Sequence, residues 1–190
     1  MCCPTIFYGN EMQNFITLQR QDLNKQWIFR LIDNTYECKQ ETVLLDNKEW
    51  VLCIDKHPGS DKRYLVVFKD PELKTMRDLR AEHLKMLYTM KDQVRKKLGV
   101  YEKKLRHFFW FFHYFPSVFQ LHLHISSRIQ NLNPRIQKLE HVMRNLNTSS
   151  TWYQDALILT TRNKMVKSIT CYTPVRECED NRVEGEEPDL

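Results

Sequence analysis

No apolar run in this 190-residue chain approaches the roughly 20 residues that a membrane-crossing helix needs. The longest, HFFWFFHYF at residues 107–115, is strand-sized and carries two histidines. The six cysteines, at positions 2, 3, 38, 53, 171 and 178, include no CxxC pair, so a zinc knuckle finds no support and they read as ordinary thiols. The N-terminus, MCCPTIFYGN, lacks the basic region and apolar core of a secretory signal. It also lacks the N-terminal glycine that would direct acylation beside Cys2 and Cys3. A cytoplasmic or nuclear chain is the expectation. One further absence is local: no acidic residue lies between 103 and 139, the stretch that holds three clustered histidines.

What is present describes a globular protein. Hydrophobic residues make up 42% and aromatic residues 12% of the chain, enough for one domain with a buried core. Charge is distributed unevenly. The last fifteen residues, RECEDNRVEGEEPDL, hold two basic and seven acidic side chains, which leaves a net +10 on residues 1–175. A basic body with an acidic tail suits an anionic ligand such as a nucleotide or RNA, although such charges also serve solubility alone. The expected layout is a short tail over residues 1–9, a domain over 10–173 and a disordered acidic tail over 174–190.

Residues 10–34 carry apolar side chains at helical spacing, among them Phe15, Leu18, Trp27, Ile28 and Leu31. ETVLLD (41–46) and EWVLCID (49–55) are short β-type runs joined by Asp-Asn-Lys, and predict a hairpin. RYLVVFKD (63–70) follows as a third strand. A helix is predicted over about 77–98, stopped by Gly99. Two longer strands, about 104–114 and 118–127, flank Pro116-Ser117. Pro134 is placed to open an amphipathic helix, PRIQKLEHVMRNL, and ALILTT (156–161) could add a last strand. The class is α+β with a mainly antiparallel sheet and flanking helices.

Within FHYFPSVFQLHLHISS (112–127), alternation sets the geometry. Val118, Gln120, His122, His124 and Ser126 share one face of a strand, and Phe119, Leu121, Leu123 and Ile125 the other. The apolar face belongs to a core, so the polar face must meet water or hydrogen-bond partners. His113, across the hairpin, approaches the same surface. Three readings compete. The histidines could be satisfied by neighbours on a half-exposed sheet. They could chelate a metal, although the lack of nearby carboxylates speaks against that. Or one imidazole could attack phosphorus while a second gives a proton to the departing oxygen, with Ser117 and turn amides holding the non-bridging oxygens. The basic body favours the third.

The segment HYFPSVFQLHLHIS (113–126) resembles the histidine-triad superfamily and, more narrowly, the scavenger mRNA decapping enzymes. MRDLRAEHLKML, QWIFRLIDNTYE and VLCIDK are similar to further stretches of that family, in the same order, so the resemblance spans roughly residues 20–165. It implies a histidine-triad fold with an N-terminal helix before the domain, assembled as a homodimer joined through its sheets. It also implies hydrolysis, without metal or other cofactor, of the triphosphate bridge in 7-methylguanosine cap dinucleotides or short capped RNA. In that pattern His122 is the nucleophile, with His124, His113 and Ser117 beside it. Trp27 stacks on the methylated base, Glu37 accepts hydrogen bonds from it, Asp55 and Lys56 belong to the ligand-binding stretch, and Gln120 stands where the family has its first triad histidine.

Two departures qualify the match: Gln120 cannot titrate, and Asp55 and Lys56 are adjacent where the family separates the pair by one residue. The family's large N-terminal lid domain is expected to be represented here by little more than its terminal helix. A cap-binding protein that does not cleave, and a general triad nucleotide hydrolase, are the alternative readings.

Overall fold

The computed structural model describes residues 17–22, 25–33, 35, 43–55, 62–100, 102, 105–114, 116–128 and 135–156. The expected tails at 1–9 and 174–190, Glu37, Lys56 and all but the first residue of ALILTT lie outside the described residues. Among those described, no helix is long and apolar enough to cross a membrane.

Six strands form one sheet: β1 (Val43–Asp46), β2 (Trp50–Ile54), β3 (Arg63–Phe68), β4 (Phe109–His113), β5 (His122–Ser126) and β6 (Ile136–Lys138). Their order is β1-β2-β3-β5-β4-β6, with every neighbouring pair antiparallel. The helices are α1 (Gln26–Ile32), α2 (Leu84–Gly99), α3 (Leu139–Thr148) and the short α4 (Trp152–Asp155), with residues 17–21 helical ahead of α1. The α+β class and the predicted hairpin therefore hold. Asn47 closes that hairpin, its side-chain oxygen accepting from the backbone N–H groups of Glu49 at 2.8 Å and Trp50 at 2.9 Å.

Strand alternation divides the core in two. On one face, Trp50, Leu52, Val66, Phe68, Trp110, Phe112, Leu123 and Ile125 pack against Leu87, Met90, Val94 and Leu98 of α2 and Leu139, Val142 and Leu146 of α3. On the other, Val51, Cys53, Leu65 and Val67 meet Ile28, Phe29 and Leu31 of α1. The short α1 covers only part of that second face, and the histidines occupy the remainder.

Four elements differ from expectation. The helix predicted from Pro134 begins only at Leu139, because Ile136–Lys138 pair with β4 instead. An unpaired strand edge offers a ladder of backbone hydrogen bonds, and that overrides local helical propensity. The helix predicted from residue 77 starts as a separate 3₁₀ turn, Met76–Asp78, and a second, Ala81–His83, that runs on into α2. Asp78 accepts from the backbone of Thr75 at 2.7 Å and closes the first, and extended backbone at Leu79 and Arg80 interrupts it before α2 proper. The strands predicted over 104–114 and 118–127 are shorter, since Leu105–His107 forms a 3₁₀ turn and residues 117–120 form bends.

Candidate active site

The loop entering β5 is fixed at nearly every residue. Gln19 is 2% exposed, and its carboxamide donates to the Ser117 carbonyl at 2.9 Å and accepts from the Phe119 N–H at 2.8 Å. Gln120 turns the other way, its amide donating to the Phe68 carbonyl at 2.6 Å and the Asp70 carbonyl at 2.9 Å. Leu121 donates its N–H to the Leu73 carbonyl at 2.7 Å, and its own carbonyl accepts from Phe68 at 3.0 Å. Strand pairing with β3 then takes over, with Val67 opposite His122 and Leu65 opposite His124.

This loop also decides the state of the His122 ring. Nδ1 lies 2.6 Å from the Gln120 carbonyl oxygen. A carbonyl has no proton to give, so Nδ1 carries the hydrogen and donates it, and the Nε2 lone pair is left available. Burial lowers the His122 pKa, opposed by that hydrogen bond and by the Asp55 carboxylate.

His124 lies against Phe111, ring centroids 5.4 Å apart and nearly parallel at 14°. Its centroid is 5.1 Å from that of His122 and 4.4 Å from that of His113. Its Nε2 is sequestered from solvent and makes no hydrogen bond among the described residues. Burial depresses its pKa well below the imidazole range, with His122, His113, Arg63 and Arg135 adding to the effect. His113 is pushed down to about 4, by burial first and then by Arg135, His122 and Arg63. All three rings are therefore neutral near pH 7. A bound anion reverses part of the penalty, because negative charge favours protonated imidazole.

Six of the residues singled out in the sequence, namely Trp27, Asp55, His113, Ser117, His122 and His124, line one cavity of ≈ 670 Å³ between the sheet and α1. The face is less open than alternation alone suggested: His122 is only 7% exposed, because the loop and α1 close over it. Gln120 requires a correction. It does not line the cavity, and its amide is committed to backbone carbonyls of the segment after β3. The strand starts at His122, so the alternation projected back to position 120 does not apply. The carboxamide serves to hold the residue whose carbonyl orients His122.

Three arginines absent from the sequence reading also line the cavity: Arg63, Arg128 and Arg135. Arg63 was legible in principle, since it alternates with Leu65 and Val67 on the face that β5 presents. Gln19 was not, because its partners are 98 and 100 residues away. Among the described lining residues Asp55 is the one carboxylate against three arginines, so the lining carries net positive charge. Among the described residues, no group of three or more histidine, cysteine, aspartate or glutamate side chains is arranged to hold a metal ion.

An antiparallel α+β sheet with paired imidazoles on the strand after a Pro-Ser loop, the leading ring fixed by a backbone carbonyl, defines a histidine-triad protein. The family described as "Scavenger mRNA decapping enzyme C-term binding" matches residues 26–140, and the chain belongs to it. It is 28% identical over 130 residues to the m7GpppX diphosphatase of Homo sapiens, covering 63% of this chain and 38% of that protein. The m7GpppX diphosphatase of Caenorhabditis elegans is 26% identical over 121 residues, covering 56% of this chain and 37% of its own length. The chain thus spans well under half the length of these relatives. Among solved structures, the aprataxin ortholog Hnt3 in complex with DNA superposes with a TM-score of 0.46 at 20% identity, over 78% of this chain and 90% of that one. Hnt3 in complex with DNA and guanosine gives 0.42 at 20% identity, over 74% and 89%.

Proposed function

We propose that this protein hydrolyses the triphosphate bridge of 7-methylguanosine caps, as cap dinucleotides or short capped RNA, with His122 as nucleophile. The observation that carries the reading is the 2.6 Å contact from His122 Nδ1 to the Gln120 carbonyl, which leaves Nε2 as a lone pair within an arginine-lined cavity. Nε2 attacks the phosphorus next to the methylated nucleoside. A P–N bond forms, the P–O bond to the bridging oxygen breaks, and a nucleoside diphosphate departs. Water then adds to the same phosphorus and the P–N bond breaks. The imidazole is restored and 7-methyl-GMP leaves.

The other side chains divide the work by charge. Methylation makes the guanine cationic, so the Trp27 indole attracts it by stacking and by charge, and the Asp55 carboxylate lines the same cavity. Ser117 donates its hydroxyl to non-bridging oxygens as charge builds. His124 and His113 hydrogen-bond the phosphates and take up protons as the anion arrives. Family resemblance gives Glu37 the guanine edge and Lys56 a phosphate. Gln120 acts on His122 only through the backbone, which is compatible with turnover although it cannot titrate. A sheet-joined homodimer and a cytoplasmic and nuclear location belong to the same reading.

The test is a single-turnover reaction with a 7-methylguanosine cap dinucleotide, with and without chelator, followed by product identification. Release of 7-methyl-GMP, insensitive to chelator, is expected. His122→Asn should lower the rate by roughly 10³-fold or more while the dinucleotide still binds. Parental turnover by His122→Asn would end the assignment. Binding with no turnover by the parent would leave a cap-binding protein, and a preference for adenylylated over capped substrates would point to a general nucleotide hydrolase.

A further inference from the structure

Seven of the chain's 24 acidic side chains crowd into its last fifteen residues, RECEDNRVEGEEPDL, where two basic side chains leave a net −5. Charge so concentrated repels itself and is stabilised by a cationic surface. The cavity is such a surface. Arg63, Arg128 and Arg135 line it against a single described carboxylate, Asp55, and concave walls of low dielectric focus the resulting positive field. Its hydrogen bonding is also incomplete, since His124 Nε2 is sequestered from solvent and has no partner among the described residues. A carboxylate oxygen can accept from that nitrogen when it carries the ring proton. A guanidinium fork matches the two oxygens of a carboxylate as it matches those of a phosphate.

The tether is long enough. The described residues end at Ala156, whose carbonyl accepts from Arg77 Nη1 at 3.1 Å, and the same guanidinium donates from Nε to the Tyr114 hydroxyl at 2.6 Å. Tyr114 directly follows His113, which lines the cavity. Nineteen residues, 157–175, connect this anchor to the acidic segment. They can span up to about 60 Å, against roughly 17 Å for a five-residue strand. Tethering over such a range sets an effective concentration of millimolar order.

A second cationic surface, along α2, is the weaker host. Lys96 is paired with Asp92 at 2.8 Å, Lys91 with Glu140 at 2.9 Å, and the Arg95 guanidinium lies over the Trp110 ring. Part of its charge is therefore already neutralised within the fold.

We infer that residues 176–190 dock carboxylates in the arginine-lined cavity when no ligand is bound, an autoinhibitory contact in which the tail stands where a polyphosphate would. The contact belongs to the anion site and does not depend on which phosphate compound is the substrate. A tail of millimolar intrinsic affinity at millimolar effective concentration closes about half of the molecules, and one tenfold tighter about nine-tenths. Ligand affinity falls with the open fraction, by about two- to tenfold.

The experiment measures binding of inorganic tripolyphosphate by isothermal titration calorimetry at physiological salt. It compares the full chain with a full-length variant in which the seven tail carboxylates become amides, Glu→Gln and Asp→Asn. The variant should bind about two- to tenfold more tightly. Losing seven negative charges also favours anions at a distance, although a Debye length of about 8 Å limits that effect. A synthetic peptide of residues 176–190 separates the two. Added at millimolar concentration it should compete with tripolyphosphate for the variant, whereas a peptide with the same seven amides should not. Arg128→Gln, at the exposed cavity mouth, should weaken the competition severalfold.

Equal affinity in parent and variant, an acidic peptide that does not compete, or an amide peptide that competes as well overturns the contact. So does competition unchanged by Arg128→Gln, which would put the peptide elsewhere. Failure of both proteins to bind tripolyphosphate overturns it too, because the cavity would then not be an anion site. None of these readouts requires turnover, so absence of cap hydrolysis counts against the proposed function alone.

Discussion

The two faces of the sheet come from the same six strands, yet one is closed by hydrocarbon and the other by hydrogen bonds. Behind the sheet, α2 and α3 bring Leu87, Met90, Val94, Leu139, Val142 and Leu146 down onto Trp50, Phe68 and Phe112, all nearly solvent-free. In front, α1 supplies Ile28, Phe29 and Leu31 over β2 and β3 only, and the rest of the face carries His113, His122, His124 and Ser126 around a cavity. The back face provides stability by burying apolar area. The front face buries polar groups at a cost: Gln19, Gln120 and His122 Nδ1 are satisfied by backbone partners, whereas His124 Nε2 has no partner among the described residues.

The comparison breaks in stages. The largest expected effect is the loss of turnover in His122→Asn described above, on the front face. Next is the back face: Phe112→Ala removes a fully buried ring and should destabilise the fold by about 3–5 kcal/mol in denaturant titration. Turnover per folded molecule should stay close to parental, because Phe112 faces the helices. A selective collapse of kcat with unchanged stability would mean that the two faces are not separable in this way.

A smaller effect is expected at Gln19, which links the front helix to the loop before β5. Gln19→Met preserves bulk and loses both hydrogen bonds, so kcat should fall about tenfold, and the buried Phe119 N–H left unpaired should cost about 1–3 kcal/mol of stability. Gln19→Glu keeps the acceptor for Phe119 but sets a carboxylate against the Ser117 carbonyl. Its activity relative to the parent should recover as pH falls and the buried carboxyl protonates, now able to donate. Parental kinetics in both variants would show that the loop holds itself.

At neutral pH the last effect is silent; it appears in stability as pH falls. His113, His122 and His124 are held neutral in the fold, with His113 depressed to about 4 against 6.5 for a free imidazole. The unfolded chain therefore binds protons first. Stability is complete above about pH 6.5 and is lost as pH falls from there toward about 4. Thermal melts across that window should show the decline, and His113→Asn should flatten it. Melting temperatures independent of pH through that range would contradict burial of neutral rings.

The sequence made most of the back face readable, because period-two runs such as RYLVVF and the 3.6-residue spacing of Leu84, Leu87, Val94 and Leu98 are local signals. The histidine row was legible for the same reason. What escaped depends on contacts between distant segments. β6 reads as helix until the open edge of β4 is known. Gln120 reads as a cavity residue if the strand is assumed to begin at 118, and as a backbone anchor once Phe68 and Asp70 lie beside it. Gln19 carries no mark of its partnership with Ser117 and Phe119. Arg63 looks like a polar strand start until β5 pairs with it and Ser126 falls opposite.

The most direct test of the central claim is to quench a reaction with labelled cap dinucleotide in the first turnover and map the modified residue by peptide mass spectrometry. The account predicts a methylguanylyl group on an imidazole nitrogen of His122, formed and lost at rates that match turnover. A labelled residue other than His122, or 7-methyl-GMP released with no covalent species at any time although the assay can trap one, would contradict it.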